Sequence, residues 1–290
     1  GNRALIRFAS GLPDFGGVID VPRIRTETGV RFSIYTADRI LSWRQTAKEE
    51  SFTSVSPGGI AQRLVQAADS TRTTGVLAGA MQFSSAQRTE TYNFTNVLSA
   101  IQRLARQSGE EFVVLPVYTG GKLSFEFHWS VLLGTDLTLS TTLVEGQNIE
   151  TPIELTEQGP IASETRAAGG GAGGSSWSDR LVGSSSSDAS AARYGYREYT
   201  EIVTGVFDQA TLDETADALL NGLSHSRKHF KVLATDKGPS PFDTYDIGDR
   251  VTVHAFLERG DWAFEGAVRV EGRSWDASNA CRLEVIEWEG

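Results

Sequence analysis

The chain has 290 residues, 39% hydrophobic and 22% charged, an ordinary balance for a folded globular protein of two or three compact units. A formal net charge of −10 weighs against tight nucleic-acid binding, because duplex affinity comes mainly from Lys and Arg neutralising phosphates. No run of about 18 apolar residues occurs, so no membrane-spanning segment is predicted, and a single cysteine, Cys281, excludes an internal disulfide.

The opening stretch GNRALIRFASG lacks the apolar core of a secretory signal, so nothing supports secretion. Alternation at Val30, Phe32 and Ile34 predicts a half-buried strand. A helix is expected over roughly Pro57 to Ala68, with Ile60, Leu64 and Ala68 on one face, and a second over roughly Asn96 to Ser108 with Gly109 as its C-terminal cap. EEFVVLPVYTGGK and KLSFEFHWSV then form a hairpin across Gly120-Gly121: Leu123, Phe125, Phe127, Trp129 and Val131 take one face, and Pro116 places the first strand at a sheet edge. A third helix is expected from about Thr211 to Ser224, opened by a capping box of Thr211 and Glu214. Alternation returns at Val251 to Leu257 and at Cys281, Leu283 and Val285, where Cys281 is expected to be a buried strand thiol.

Strands and helices follow no regular βαβ order, and no repeat of fixed period appears. The expected class is α+β and β-rich, with two β-barrel-like domains and intervening α/β modules. The boundaries expected are 1–56 for a first barrel completed by 134–165, 57–133 for an α/β module with its hairpin, and 166–290 for a Gly-rich excursion, helix and second barrel.

Gly169, Gly171 and Gly174 match the G-x-G-x-x-G spacing of a dinucleotide loop. That loop needs a buried strand before it and a helix N-terminus after it. Upstream, EQGPIASETRAA suggests no buried strand, and the serine-rich stretch downstream is poor helix material, so no cofactor site is assigned. His225 and His229 have the i, i+4 spacing of a zinc pair but enclose Ser226, Arg227 and Lys228 rather than a glutamate base; cations at a helix C-terminus explain them. His128 and His254 are read as solvated strand residues, and no metal site is assigned. No G-x-S-x-G occurs, and the adjacent pairs Glu49/Glu50 and Glu110/Glu111 point apart, so no catalytic residue is assigned either. Arg259-Gly260-Asp261 reads as a hairpin turn, and Asn93-Phe94-Thr95 is a glycosylation sequon that matters only in a secreted chain. Trp177, Trp262, Trp275 and Trp288 could stack on sugars, though packing is the commoner fate of such rings.

In order, VLSAIQRLARQSGEEFVV, the Gly-rich stretch followed by ASAARYGYREYTEIV, ATLDETADALL, and YDIGDRVTVHAF resemble the tail-tip, or baseplate hub, proteins of long-tailed bacteriophages. These are relatives of contractile-tail baseplate hubs and of tail-associated lysin N-terminal regions. The likeness runs best from Asn93 onward, and GGVIDVPRIRTETGVRFSIYTADRIL resembles the family's opening strands. The resemblance implies a non-enzymatic structural protein without cofactor, located at the virion tail tip after assembly in the host cytoplasm. It implies a homotrimer whose barrels form a pseudo-sixfold ring continuing the tail tube. Its expected partners are itself, distal tail and tail-tube proteins, tip or fibre proteins and the tape measure, with DNA passing through the lumen unbound during genome ejection. The Gly-rich segment becomes a strand-loop-strand excursion, no polymer-degrading domain is expected within the chain, and the residues that bind partners stay unknown. A carbohydrate-binding adhesin and a cell-wall polymer hydrolase are the rival expectations.

Overall fold

A computed structural model describes residues 2–7, 14–26, 29–46, 49–159, 161–169, 180–203, 205–256, 263–275 and 280–288. The chain begins with strands β1 (Asn2–Ile6), β2 (Phe15–Thr26) and β3 (Gly29–Thr36), followed by a 3-10 helix over Ala37–Trp43. Then come β4 (Glu50–Val55), α1 (Pro57–Thr71), β5 (Val76–Met81), β6 (Arg88–Tyr92), α2 (Val97–Ser108) and the hairpin β7 (Glu111–Thr119) and β8 (Lys122–Ser130). After β9 (Thr142–Val144) and β10 (Ile149–Gln158) follow β11 (Glu164–Gly169), β12 (Val182–Ser186), α3 (Asp188–Tyr194), β13 (Glu198–Val203) and α4 (Gln209–Leu223). The last strands are β14 (Arg227–Thr235), β15 (Arg250–Phe256), β16 (Ala263–Trp275) and β17 (Ala280–Glu287). The class is the expected α+β, rich in strands.

Two compact units result. The first joins residues 1–7, 14–131 and 162–224; the second contains 132–161 and 225–290. In the first unit, helices start where side chains can accept the orphan N–H groups of the first turn. Ser56 accepts from Gly59 N at 3.3 Å, Asn96 from Ser99 N at 3.1 Å and Asp208 from Thr211 N at 2.8 Å. Asp208, not Thr211, therefore caps α4, three residues earlier than the capping box suggests. Gly109 closes α2 at φ 68°, as its position predicts. Helix α3 and the 3-10 helix over Ala37–Trp43 leave no periodic signal in the sequence: each is a short turn capped or packed locally, with too few residues to show a period.

Strands β5, β8 and β7 form one sheet, with β7 and its Pro116 at the edge as expected. Phe125, Phe127 and Trp129 point into a core shared with Ile60, Leu64, Ile101 and Leu104, and Phe112 stacks on both Phe127 and Trp129. A separate sheet has the order β12-β11-β13, in which β11 runs antiparallel to β12 and parallel to β13. Gly183 lets β12 lie directly on α4, since a Cβ there would stand 2.2 Å from the Leu212 carbonyl carbon.

The second unit is built on one six-stranded sheet of order β10-β14-β17-β16-β15-β9. Segments β9 and β10, assigned in the sequence reading to completing the N-terminal barrel, are hydrogen-bonded here to β15 and β14. A bridge between Glu145 and Ile149 brings the two edge strands together, so the sheet curls almost into a barrel. Its interior is the alternating set Leu143, Phe230, Val232, Val251, Val253, Val268, Val270, Leu283 and Val285. The buried Asn148 stitches the seam: its Oδ1 accepts from Val144 N at 2.6 Å, its Nδ2 donates to Thr142 O at 3.1 Å, and its carbonyl accepts from Thr235 N at 3.0 Å.

Candidate functional site

The residues singled out by sequence do not converge. Gly169 ends β11, which is buried and parallel to β13, so the strand thought missing before the glycines exists. Its letters do not show it, because ETRAAG is half polar and its ladder is set by distant partners. The next described element is strand β12 rather than a helix N-terminus; Gly171 and Gly174 lie outside the described residues. His225 follows the end of α4 and His229 lies in strand β14, opposite Ile286, so the two share no helical face and do not serve as C-terminal helix cations. His128 is not merely solvated: its Nδ1 accepts from Ala80 N at 3.2 Å, and its Nε2 stands 3.3 Å from Glu126 Oε2. His254 is half-buried on β15, 3.5 Å from Glu265.

Cys281 is the buried strand thiol expected, and burial pushes it up to about 11. Glu110 is buried and accepts from Trp129 Nε1 and from Ser84 Oγ, whereas Glu111 belongs to β7; the pair shares no site. The sequon forms the turn before α2, with Phe94 exposed at φ 46°. Trp288 lies beneath the guanidinium groups of Arg250 and Arg269; Trp177, Trp262 and Arg259-Gly260-Asp261 fall outside the described residues. Among the described residues no three His, Cys, Asp or Glu gather as metal ligands, and no helix is long and apolar enough to cross a membrane.

Two features that composition did not reveal stand out. The first is a buried charge network in the first unit. Arg88, without solvent exposure, lies 3.4 Å from Glu90 and 3.4 Å from Glu214, and donates to Gln107 O at 2.7 Å. Tyr92 donates to Glu90 at 2.5 Å, and Arg103 lies over the Tyr92 ring. Burial, and then the Glu90 charge, raise the Tyr92 hydroxyl far above its ordinary range, so it acts as a permanent donor. Burial likewise raises Glu214, with Arg88 opposing it. The strand RTETY carries the signal in its letters: Arg88, Glu90 and Tyr92 share a face, and the charges compensate within it.

The second feature is an open sheet face. Thr165 Oγ1 donates to Ala216 O at 2.7 Å, and Ala167 packs with Leu212 and Ala216, so these residues of β11 look toward α4. The alternate residues occupy the other face, where register aligns Val182, Ala168 and Ile202 in one row, then Ser184, Arg166 and Thr200, then Ser186, Glu164 and Glu198. Val182 is 44% and Ile202 52% exposed. At the polar end Arg166 binds Glu164 at 2.6 Å and Glu198 at 2.8 Å, while Tyr196 donates to Glu164, a bond that pushes its hydroxyl up to about 12. Such a face suits protein contact better than small-molecule chemistry.

No protein-family model and no curated protein matches the chain. Solved structures do. The tail protein from Neisseria meningitidis MC58 superposes with a TM-score of 0.57 at 14% identity, covering 94% of this chain and 80% of that one. The fold is that of phage tail proteins. A 43 kDa tail protein of prophage MuSo2 from Shewanella oneidensis gives 0.56 at 11% identity over 94% of this chain and 79% of its own. Prophage tail protein gp18 from Listeria monocytogenes EGD-e gives 0.56 at 10% identity over 96% and 78%. At these identities the shared property is the tail-protein fold, and the likeness extends across both units.

Proposed function

We propose that this chain is a non-enzymatic structural component of a bacteriophage tail tip or baseplate, a hub that closes into a homotrimeric ring continuing the tail tube. One observation carries the reading: 94% of the chain follows the fold of one prophage tail protein and 96% that of another, and the almost closed six-stranded sheet of this chain suits a ring wall. A head-to-tail contact that closes leaves no sticky end, which suits a ring. Distal tail or tube proteins bind one side, tip or fibre proteins the other, and the tape measure and DNA occupy the lumen. The net charge of −10 supports passage without adhesion, because a negative wall repels phosphate. Electron microscopy of the purified chain, with its mass in solution, tests the reading. Threefold rings are expected; a monomer that stays solitary alone and with tail-tube protein overturns it, and a strongly positive lumen in the assembled ring ends the electrostatic part.

A further inference from the structure

We infer that a cleft in the first unit, bounded by Arg3, Trp43 and Arg44, is a carboxylate-binding site, filled in an assembled tail by an acidic side chain of an adjoining protein; that last clause alone rests on the function proposed above. The cleft encloses about 130 Å³. Its floor is made by the buried Val18, Ile40 and Thr74, and Trp43, 41% exposed, stands at its rim.

The two guanidinium groups are engaged differently. Arg3 donates from Nη1 to Leu123 O at 2.6 Å and from Nη2 to Thr74 O at 2.9 Å. It also fills the space that a Cβ on Gly75 would need, such a Cβ falling 2.1 Å from Nη2. Arg3 is therefore a fixed wall. Arg44 donates from Nη2 to Arg72 O at 3.1 Å, and its Nε is buried without an acceptor. Among the described residues no Asp or Glu forms an ion pair with it. Asp69 feels the Arg44 charge, but its Oδ1 already accepts from Thr74 N, Thr74 Oγ1 and Gly75 N at 2.6, 2.8 and 3.1 Å.

A buried guanidinium N–H without an acceptor is costly, and it marks a place for a water, an ion or a ligand oxygen. Arginine's planar fork matches a carboxylate, whose two oxygens accept together. An aliphatic stem behind that carboxylate would lie against Val18 and Ile40 and beneath the indole. Asp69, whose charge interacts with Arg44, favours a singly charged carboxylate over a doubly charged phosphate.

The test is a titration of the ¹⁵N-labelled full chain with sodium acetate, with inorganic phosphate, and with sodium chloride at matched ionic strength. It follows the Trp43 indole and Arg44 Nε–H signals. Saturable shifts with acetate are expected, weaker ones with phosphate, and at least tenfold weaker acetate binding in Arg44→Gln. Arg44→Lys, which keeps the charge and loses the fork, should bind several-fold more weakly and serves if Arg44→Gln misfolds. No saturable response, an unchanged response in both variants, or tighter binding of phosphate overturns the site. If Arg44→Gln loses acetate yet assembles normally, the proposed occupant is wrong; if the wild type binds acetate but forms no ring, the site stands and the hub reading falls.

Discussion

Arg88 lies without solvent exposure between the carboxylates of Glu90 and Glu214, and such an arrangement is easier to break than to replace. Removing one partner of a buried pair strands the other charge in a low-dielectric interior, which costs about 3–5 kcal/mol. Arg88→Ala should therefore lower the unfolding free energy by about that amount in a urea titration, and a loss below about 1 kcal/mol would show that water already screens the network. Asp69 offers a pH test. Burial works to raise its carboxyl, but hydrogen bonds from Thr74 and Gly75 and the charge of Arg44 outweigh it and hold the group below 3.8. A carboxyl depressed in the folded state contributes stability above its unfolded value and loses it as pH falls through the folded one. Asp69→Asn should thus be less stable than the wild type at neutral pH, with the gap closing below about pH 4 in thermal melts.

At the level of elements, the decisive contact is the seam of the six-stranded sheet. Asn148 supplies the acceptor for Val144 N and the donor for Thr142 O where the ladder is interrupted between β9 and β10. Asn148→Ala leaves both part-buried backbone groups without their side-chain partner; each lost bond costs about 1 kcal/mol or more, so calorimetry should show the second unit destabilised by about 2 kcal/mol or more. Equal melting of variant and wild type would mean that solvent reaches the seam. The open face of β12-β11-β13 shows how one element serves two ends. Thr165 and Ala167 are committed to α4, while Val182 and Ile202 on the reverse are exposed. Edge strand β13 is tied to its surroundings by charge: Glu201 pairs with Arg106 of α2 at 2.7 Å and Glu198 with Arg166 of β11 at 2.8 Å.

For the whole molecule, net charge makes the plainest prediction. With 37 acidic against 27 basic residues, the chain should not retard duplex DNA in a gel at about 50 mM salt, where phosphate contacts are strongest. Retardation that disappears with added salt would reveal a basic surface at odds with the lumen proposed above. The number of copies in the proposed ring is what the microscopy described above measures directly.

Much of the fold was legible in the letters because periodicity is a local property. The 3.6 spacing of Ile101, Leu104 and Ala105, the glycine after Ser108, and the alternation of KLSFEFHWSV each follow from steric rules within one element. The same rules fixed Pro116 at an edge and Cys281 inside a sheet. Partners across the chain were decided only in three dimensions. That β9 and β10 close on β15 and β14, that ETRAAG becomes a buried strand beside β13, and that Arg44 keeps an unused N–H beside a cleft all depend on residues far apart in sequence. Burial, hydrogen-bond satisfaction and charge pairing are properties of what surrounds a residue, and those surroundings exist only once the chain has folded.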